Sequence, residues 1–235
     1  MWRGKRKKML FSKIKLTLRK LQEVLERRFV GNFFHELAWR TRHVYRRRWA
    51  EQQLSTVNHP HREQIVEAVH SFSPFDCLLE LGCGAGANLI RLRERFPNIV
   101  ILGIDVNRNA LQVATRYFID SGEKNVTLKA GSVTLIDLPS KSVDVVVCDA
   151  VLMFITPNEI RLVIKEILRV ARRGIVLNEY SSPVAGESRF LGGRWAHDFR
   201  SLILSEAPSC EVSLVPTKFS GGLWDEVGNM VTARL

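Results

Sequence analysis

A chain of 235 residues with 46% apolar side chains is long enough for one well-packed domain plus an extension. Its net charge of +11 sits at one end: residues 1–63 hold 17 Lys/Arg against 5 Asp/Glu (+12), and residues 64–235 hold 18 against 19 (−1). The nearly neutral remainder argues against a nucleic-acid enzyme with a basic pocket mouth, and no apolar run approaches the eighteen or so residues that cross a bilayer.

In chain order, Phe11, Ile14, Leu18, Leu21 and Leu25 recur at three- and four-residue steps and predict an amphipathic helix. Lys13, Lys15, Arg19, Lys20, Arg27 and Arg28 cover much of its other face, and the first three interrupt any apolar core behind the basic start, which therefore reads poorly as a secretory signal. Gly31-Asn32 breaks the pattern. A second segment from Phe33 to about Gln53 mixes Phe34, Leu37, Trp39, Val44, Tyr45 and Trp49 with Arg40, Arg42 and Arg46-Arg47-Arg48. Residues 1–30 are expected on an anionic membrane surface or a partner, with each basic side chain contributing about 1 kcal/mol near a bilayer. The second segment is expected to pack on the domain or cover its pocket. RNA phosphates are the other open partner.

His59-Pro60-His61-Arg62 marks the boundary between an extension, residues 1–58, and a domain, residues 59–235. A helix follows over Arg62 to Ser71. Strands are predicted at Cys77–Leu81, Val100–Ile104, Val126–Lys129, Val143–Cys148 and Gly174–Asn178. Helices alternate with them at Ala87–Phe96, stopped by Pro97, at Arg108 to Asp120, and from a Thr156-Pro157-Asn158-Glu159 capping box to about Ala171. The fold class is α/β, a doubly wound, mostly parallel sheet. The four cysteines, Cys77, Cys83, Cys148 and Cys210, form neither a metal-like cluster nor a disulfide framework, so a cytoplasmic setting and no metal are expected.

Chemistry concentrates in Leu79-Glu80-Leu81-Gly82-Cys83-Gly84-Ala85-Gly86, where an apolar strand ends in an acid and turns through glycines into a helix. Without Cβ atoms the turn closes and backbone can approach a ligand. Asp105, with Val106 beside it, ends the next strand and is placed to accept the hydroxyls of a ribose. The glycine spacing alone would also suit a dinucleotide, but Glu80 would repel a pyrophosphate in a poorly screened cleft. A sulfonium and an ammonium suit it, so S-adenosylmethionine (SAM) is the expected cofactor.

On these motifs the sequence from about Pro60 onward resembles the class I SAM-dependent methyltransferases, which implies a seven-stranded Rossmann-like sheet. Glu211–Pro216 and Met230–Leu235 resemble the family's closing antiparallel strands. The resemblance implies that Glu80, Gly82, Gly84 and Gly86 surround the amino-acid end of SAM and that Asp105 holds the ribose. Ser132 stands where the family commonly carries an acid for the adenine amino group, and Val133 offers a backbone N–H to the ring. Asp149, in Cys148-Asp149-Ala150-Val151-Leu152, stands between a pocket role beside the methionine moiety and a capping role. Asp144 reads as a surface or strand-end residue.

The acceptor is read from an absence. The Asn/Asp-Pro-Pro-aromatic run that holds planar amino nitrogens in this family is replaced by Asp149-Ala150-Val151-Leu152. An oxygen of a small molecule or of a lipid- or sugar-linked metabolite is therefore expected, with an RNA methyltransferase and a non-catalytic SAM-binding module as alternatives. His197, with Glu179 and Asp198 to orient it, is the candidate base, although a histidine on a helix there more often packs than catalyses. Of the histidines ahead of the fold core, only His59 and His61 are placed to reach the pocket, as a lid. Catalytic residues stay unassigned. Trp195, Phe199, Leu191, Met153 and Phe154 are expected to line an apolar acceptor pocket.

Overall fold

The computed structural model describes residues 32–42 and 48–235. The amphipathic helix expected over Phe11 to Leu25 lies outside them. The segment expected over Phe33–Gln53 is helical at both described ends, α1 (Asn32–Arg40) and α2 (Trp49–Leu54). Helix α3 (Pro60–His70) starts with proline at its first position, where the missing N–H costs nothing.

The apolar runs become strands β1 (Cys77–Leu81), β2 (Val100–Asp105), β3 (Val126–Ala130), β4 (Val143–Asp149) and β5 (Ala171–Tyr180). Between them lie α4 (Ala87–Arg95), α5 (Arg108–Asp120) and α6 (Ile160–Val170). A hairpin, β6 (Arg189–Leu191) and β7 (Arg194–Ala196), precedes α7 (Phe199–Glu206), β8 (Glu211–Pro216), α8 (Trp224–Val227) and β9 (Gly228–Arg234). The main sheet runs β3-β2-β1-β4-β5-β9-β8, parallel through β5 and antiparallel at β9 and β8.

Strand residues alternate between two cores, as a period of two requires. Leu78, Val145 and Val147 face α3, α4 and α5 through Ile65, Leu89 and Leu111. Leu79, Leu81, Val146 and Cys148 face α6 and α7 through Ile164, Ile167 and Phe199. No helix among the described residues is long and apolar enough to cross a membrane.

Three details differ from expectation. Helix α6 begins at Ile160, with Glu159 rather than Thr156 at its N-cap position, and the Thr156 hydroxyl donates to the Glu159 carboxylate (2.9 Å). Strand β5 is longer than predicted, since β9 pairs with it as far as Tyr180–Gly228. Asp144 is buried, not superficial: it accepts the N–H groups of Asp76 and Cys77 and faces Arg172 and Arg173, closing the amino end of the sheet.

Candidate functional site

Parallel strands place their carboxyl ends on one edge, and there the order is Ser132 after β3, Asp105 at the end of β2, Gly82 after β1, Asp149 at the end of β4 and Asn178 in β5. A cavity of about 400 Å³ opens on this edge, within the roughly 300–1,000 Å³ of small-molecule sites. Its floor includes Gly82, Asp105, Val106, Ser132, Val133, Asp149, Ala150 and Val151. Glu36, Trp39, Trp49, Gln53, His59 and Phe219 stand over it from outside the parallel core.

The glycine loop is a cradle that side chains would fill. Gly82 has φ +74°, and a Cβ there would lie 2.2 Å from a Val151 methyl. Asp105 is 8% exposed and accepts the N–H groups of Gly84 and Asn107, each at 2.7 Å. Burial raises its pKa above the usual carboxylate value, against the pull of these donors. Each oxygen keeps a lone pair for a ligand hydroxyl. The Ala85 N–H donates to Gln53 Oε1 (2.5 Å), so α2 reaches the same loop.

Asp149 organises the other half. Its side chain is 9% exposed; Oδ2 faces His61 Nε2 (3.2 Å), Asn88 Nδ2 (3.0 Å) and Arg62 (3.5 Å), and Oδ1 accepts from Asn178 (2.7 Å). Burial alone would raise its pKa, yet the His61 bond, the His61 and Arg62 charges and the Asn88 amide bring it down to about 2. His61 Nδ1 in turn lies 2.6 Å from His59 Nδ1, and Phe219 covers both rings at 5.1 and 4.4 Å between centroids. With Asp149 ionised, His61 Nε2 carries a proton toward it, a tautomer assigned from the bonding partners. His59 Nδ1 also accepts the His61 backbone N–H (3.5 Å), capping the first turn of α3, so the two rings are fixed to each other at the cavity wall. Burial and the charges of His61 and Arg62 lower the His59 pKa, with Asp149 opposing them, which keeps its ring neutral near pH 7.

The residues singled out in the sequence divide. Gly82, Asp105, Val106, Ser132, Val133 and Asp149 line the cavity; Glu80, Gly84 and Gly86 do not. Glu80 lies beneath the floor, 1% exposed, and accepts from Asn88 (2.7 Å). His197 is fully buried, in a bridge rather than a helix, between the Ile155 carbonyl (3.1 Å) and Ser188 (2.8 Å), and burial lowers its pKa to about 4. Neither acid orients it: Glu179 accepts the N–H groups of Val151, Leu152 and Met153, and Asp198 caps α7. Trp195, Phe199 and Met153 are core, and only Phe154 of the expected apolar lining reaches the cavity.

Residues 78–174, from β1 through the glycine loop into β5, match the methyltransferase domain family. The matched stretch is a methyltransferase domain. Solved structures share the fold of this methyltransferase domain and its surroundings. One is a SAM-dependent methyltransferase from Aquifex aeolicus (TM-score 0.57, 19% identity, 77% of this chain and 92% of that one). Another is magnesium protoporphyrin IX methyltransferase from Synechocystis PCC 6803 with bound SAM (TM-score 0.64, 14% identity, 86% and 96%). A curated relative, the uncharacterized protein RP028 of Rickettsia prowazekii (strain Madrid E), is 32% identical over 91 residues, 39% of this chain. The match spans 36% of that relative's length. The glycine cradle and the Asp105 carboxylate suit S-adenosylmethionine, the ligand that the Synechocystis structure holds.

Proposed function

We propose that this chain transfers a methyl group from SAM to an oxygen of a small molecule or of a lipid- or sugar-linked acceptor. The observation that carries the oxygen assignment is the chain Asp149–His61–His59 on the cavity wall. A hydroxyl is protonated at neutral pH and profits from a base, whereas a neutral amine brings its own lone pair. Bound SAM supplies the activated methyl on its sulfonium, and the protein's share is alignment and proton removal. In this reading Asp105 accepts the ribose hydroxyls, and Gly82, Gly84 and Gly86 shape the loop at the amino-acid end. Val106, Ser132 and Val133 border the base. His59 takes the acceptor proton, and Asp149 holds His61 so that the proton can be shared along the pair. Phe154, Phe219 and Trp39 give the acceptor side an apolar, aromatic wall. We place the chain in the cytoplasm, where four free cysteines stay reduced, with residues 1–30 turned to an anionic surface.

Calorimetric titration with S-adenosylhomocysteine (SAH) tests the cofactor half. Asp105→Ala is expected to weaken binding at least tenfold, about 1.4 kcal/mol, and NAD is expected not to bind. Methyl-labelled SAM, offered with phenols, sugars and lipid-linked sugars, tests the acceptor half. Label is expected on oxygen, with His59→Gln lowering kcat by about 10²-fold while SAH affinity holds. Label found only on amines or on RNA, or turnover undiminished in His59→Gln, would overturn the oxygen reading.

A further inference from the structure

We infer that Glu36, from the helix ahead of the domain core, is the residue that selects adenine at the β3 end of the cavity. The inference rests on the SAM reading above. Strand order sets the geometry: Asp105 pairs with Ala130, and the Gly131 N–H donates to the Asp105 carbonyl (3.1 Å). Ser132 is thus the next step outward from Asp105, on the side away from β1, β4 and the His59–His61 pair. A nucleoside with its ribose at Asp105 and its reactive end toward Asp149 directs its base to this outer end.

The polar side-chain atoms there are oxygens. Ser132 Oγ donates to Glu36 Oε2 (2.9 Å), lies 2.9 Å from Thr134 Oγ1 and is approached by the Thr134 N–H (3.3 Å). A carboxylate only accepts, and Ser132 has committed its hydrogen to it, so the end of the cavity presents acceptors to a base edge flanked by Val106 and Val133. Adenine brings an exocyclic amino donor. Hypoxanthine or guanine brings a carbonyl oxygen to the same place, where acceptor would meet acceptor in a half-enclosed space. A site built around one hydrogen-bond polarity rejects the opposite one strongly, because buried groups are left unpaired.

Glu36 is held for this work. Arg40 pairs with its other oxygen at 2.5 Å, and the carbonyl of Trp39, one turn along α1, accepts from Asn107 Nδ2 (3.0 Å). The Trp39 ring also meets Trp49 and Phe154 edge-on at 5.3 and 5.2 Å. No acid occurs among residues 130–134 of the domain core. The extension therefore completes a subsite that the core leaves short of a carboxylate.

The test compares SAH with S-inosylhomocysteine, its 6-oxo analogue, by calorimetry on the full chain. Wild type is expected to prefer SAH by at least 10²-fold. Glu36→Ala is expected to lose at least tenfold in SAH affinity and most of the preference. Glu36→Gln, whose amide can donate, is expected to bind the inosyl ligand better than wild type does. Circular dichroism and the melting temperature check that the variants are folded, and Asp105→Ala, which acts on the ribose, should weaken both ligands alike. Unchanged affinity and unchanged preference in both Glu36 variants would overturn the inference alone. Folded wild type that binds neither ligand would overturn the cofactor reading and the inference together.

Discussion

Glu80 and Asp149 lie within one hydrogen-bond network, joined through Asn88, yet they hold opposite charge states. Burial pushes Glu80 up to about 8, and the Asn88 bond and Arg62 only partly offset it; its Oε2 has no partner. Asp149, with His61 and Arg62 beside it, stays ionised. Asp149, 69 positions after Glu80, keeps its charge because four cationic or donor groups, His61, Arg62, Asn88 and Asn178, converge there by folding. Glu80 binds its proton more tightly folded than unfolded, so its contribution is complete below pH 4.5 and is lost as pH rises toward 8. From pH 6.5 to 8, urea titrations should show wild type losing about 2 kcal/mol relative to Glu80→Gln. Glu179, also raised by burial to about 8, contributes the same sign and is left in place by that variant. His197 acts oppositely: its pKa is depressed from 6.5 to about 4, so its stabilisation is present above pH 6.5 and falls by about 3 kcal/mol as pH drops to 4. His197→Asn should flatten that acid limb in the same titrations; an unchanged limb would mean that His197 is protonated in the folded state.

At the scale of elements, the glycine loop is braced differently at its two ends. A Cβ on Gly82 meets Val151, in the turn held by Glu179, whereas a Cβ on Gly84 (φ +53°) meets the amide end of Gln53 at 2.3 Å. Gln53 can swing away, and Val151 cannot without disturbing its turn. Gly82→Ala is therefore expected to cost more stability than Gly84→Ala, and Gln53→Ala should relieve part of the Gly84→Ala cost. A double-mutant cycle by urea denaturation measures that coupling, for which about 0.5–3 kcal/mol is usual between touching residues; strict additivity would place Gln53 away from the loop. The loop, its strand and Asp105 were legible because the signal is local: an apolar run, glycines, an acid at the end of the next run. The β6–β7 hairpin was not read from the sequence, although Gly192-Gly193 offers a local mark: both residues have positive φ, as a two-residue turn requires. The remaining site residues carry no local mark. His61 meets Asp149 across 88 positions and Ser132 meets Glu36 across 96, so only the packed chain brings them together. His197 misled for the opposite reason. A lone histidine after the fifth strand has the right chemistry, and only its depth in the core shows that its nitrogens are already committed.

Across the whole molecule, function does not respect the boundary drawn between residues 58 and 59. Glu36, Trp39, Trp49, Gln53 and Thr56 line the cavity together with the strand ends of the domain. We therefore assign the extension two tasks: Glu36, Trp39, Trp49, Gln53 and Thr56 roof the site, and the basic residues 1–30 are proposed to make contacts outside it. Charge supports that separation, since residues 64–235 are balanced at 18 against 19 while residues 1–63 carry the excess. Changing Lys5, Arg6, Lys7 and Lys8 to glutamine removes four charges from that basic stretch. Vesicle co-sedimentation of the full chain is expected to require anionic lipid and to weaken as salt rises. At about 1 kcal/mol per basic residue near the surface, the four changes should lower partitioning by about 10²- to 10³-fold. SAH affinity should remain that of wild type, because the cofactor subsites lie in residues 36 onward. Equal binding to zwitterionic and anionic vesicles would remove the electrostatic argument. Binding to RNA with a steeper salt dependence than to vesicles would reassign the same charges to phosphates of a polynucleotide. A loss of SAH affinity in the glutamine variant would mean that the basic stretch and the roof act as one unit, and the division of the extension by position would fall.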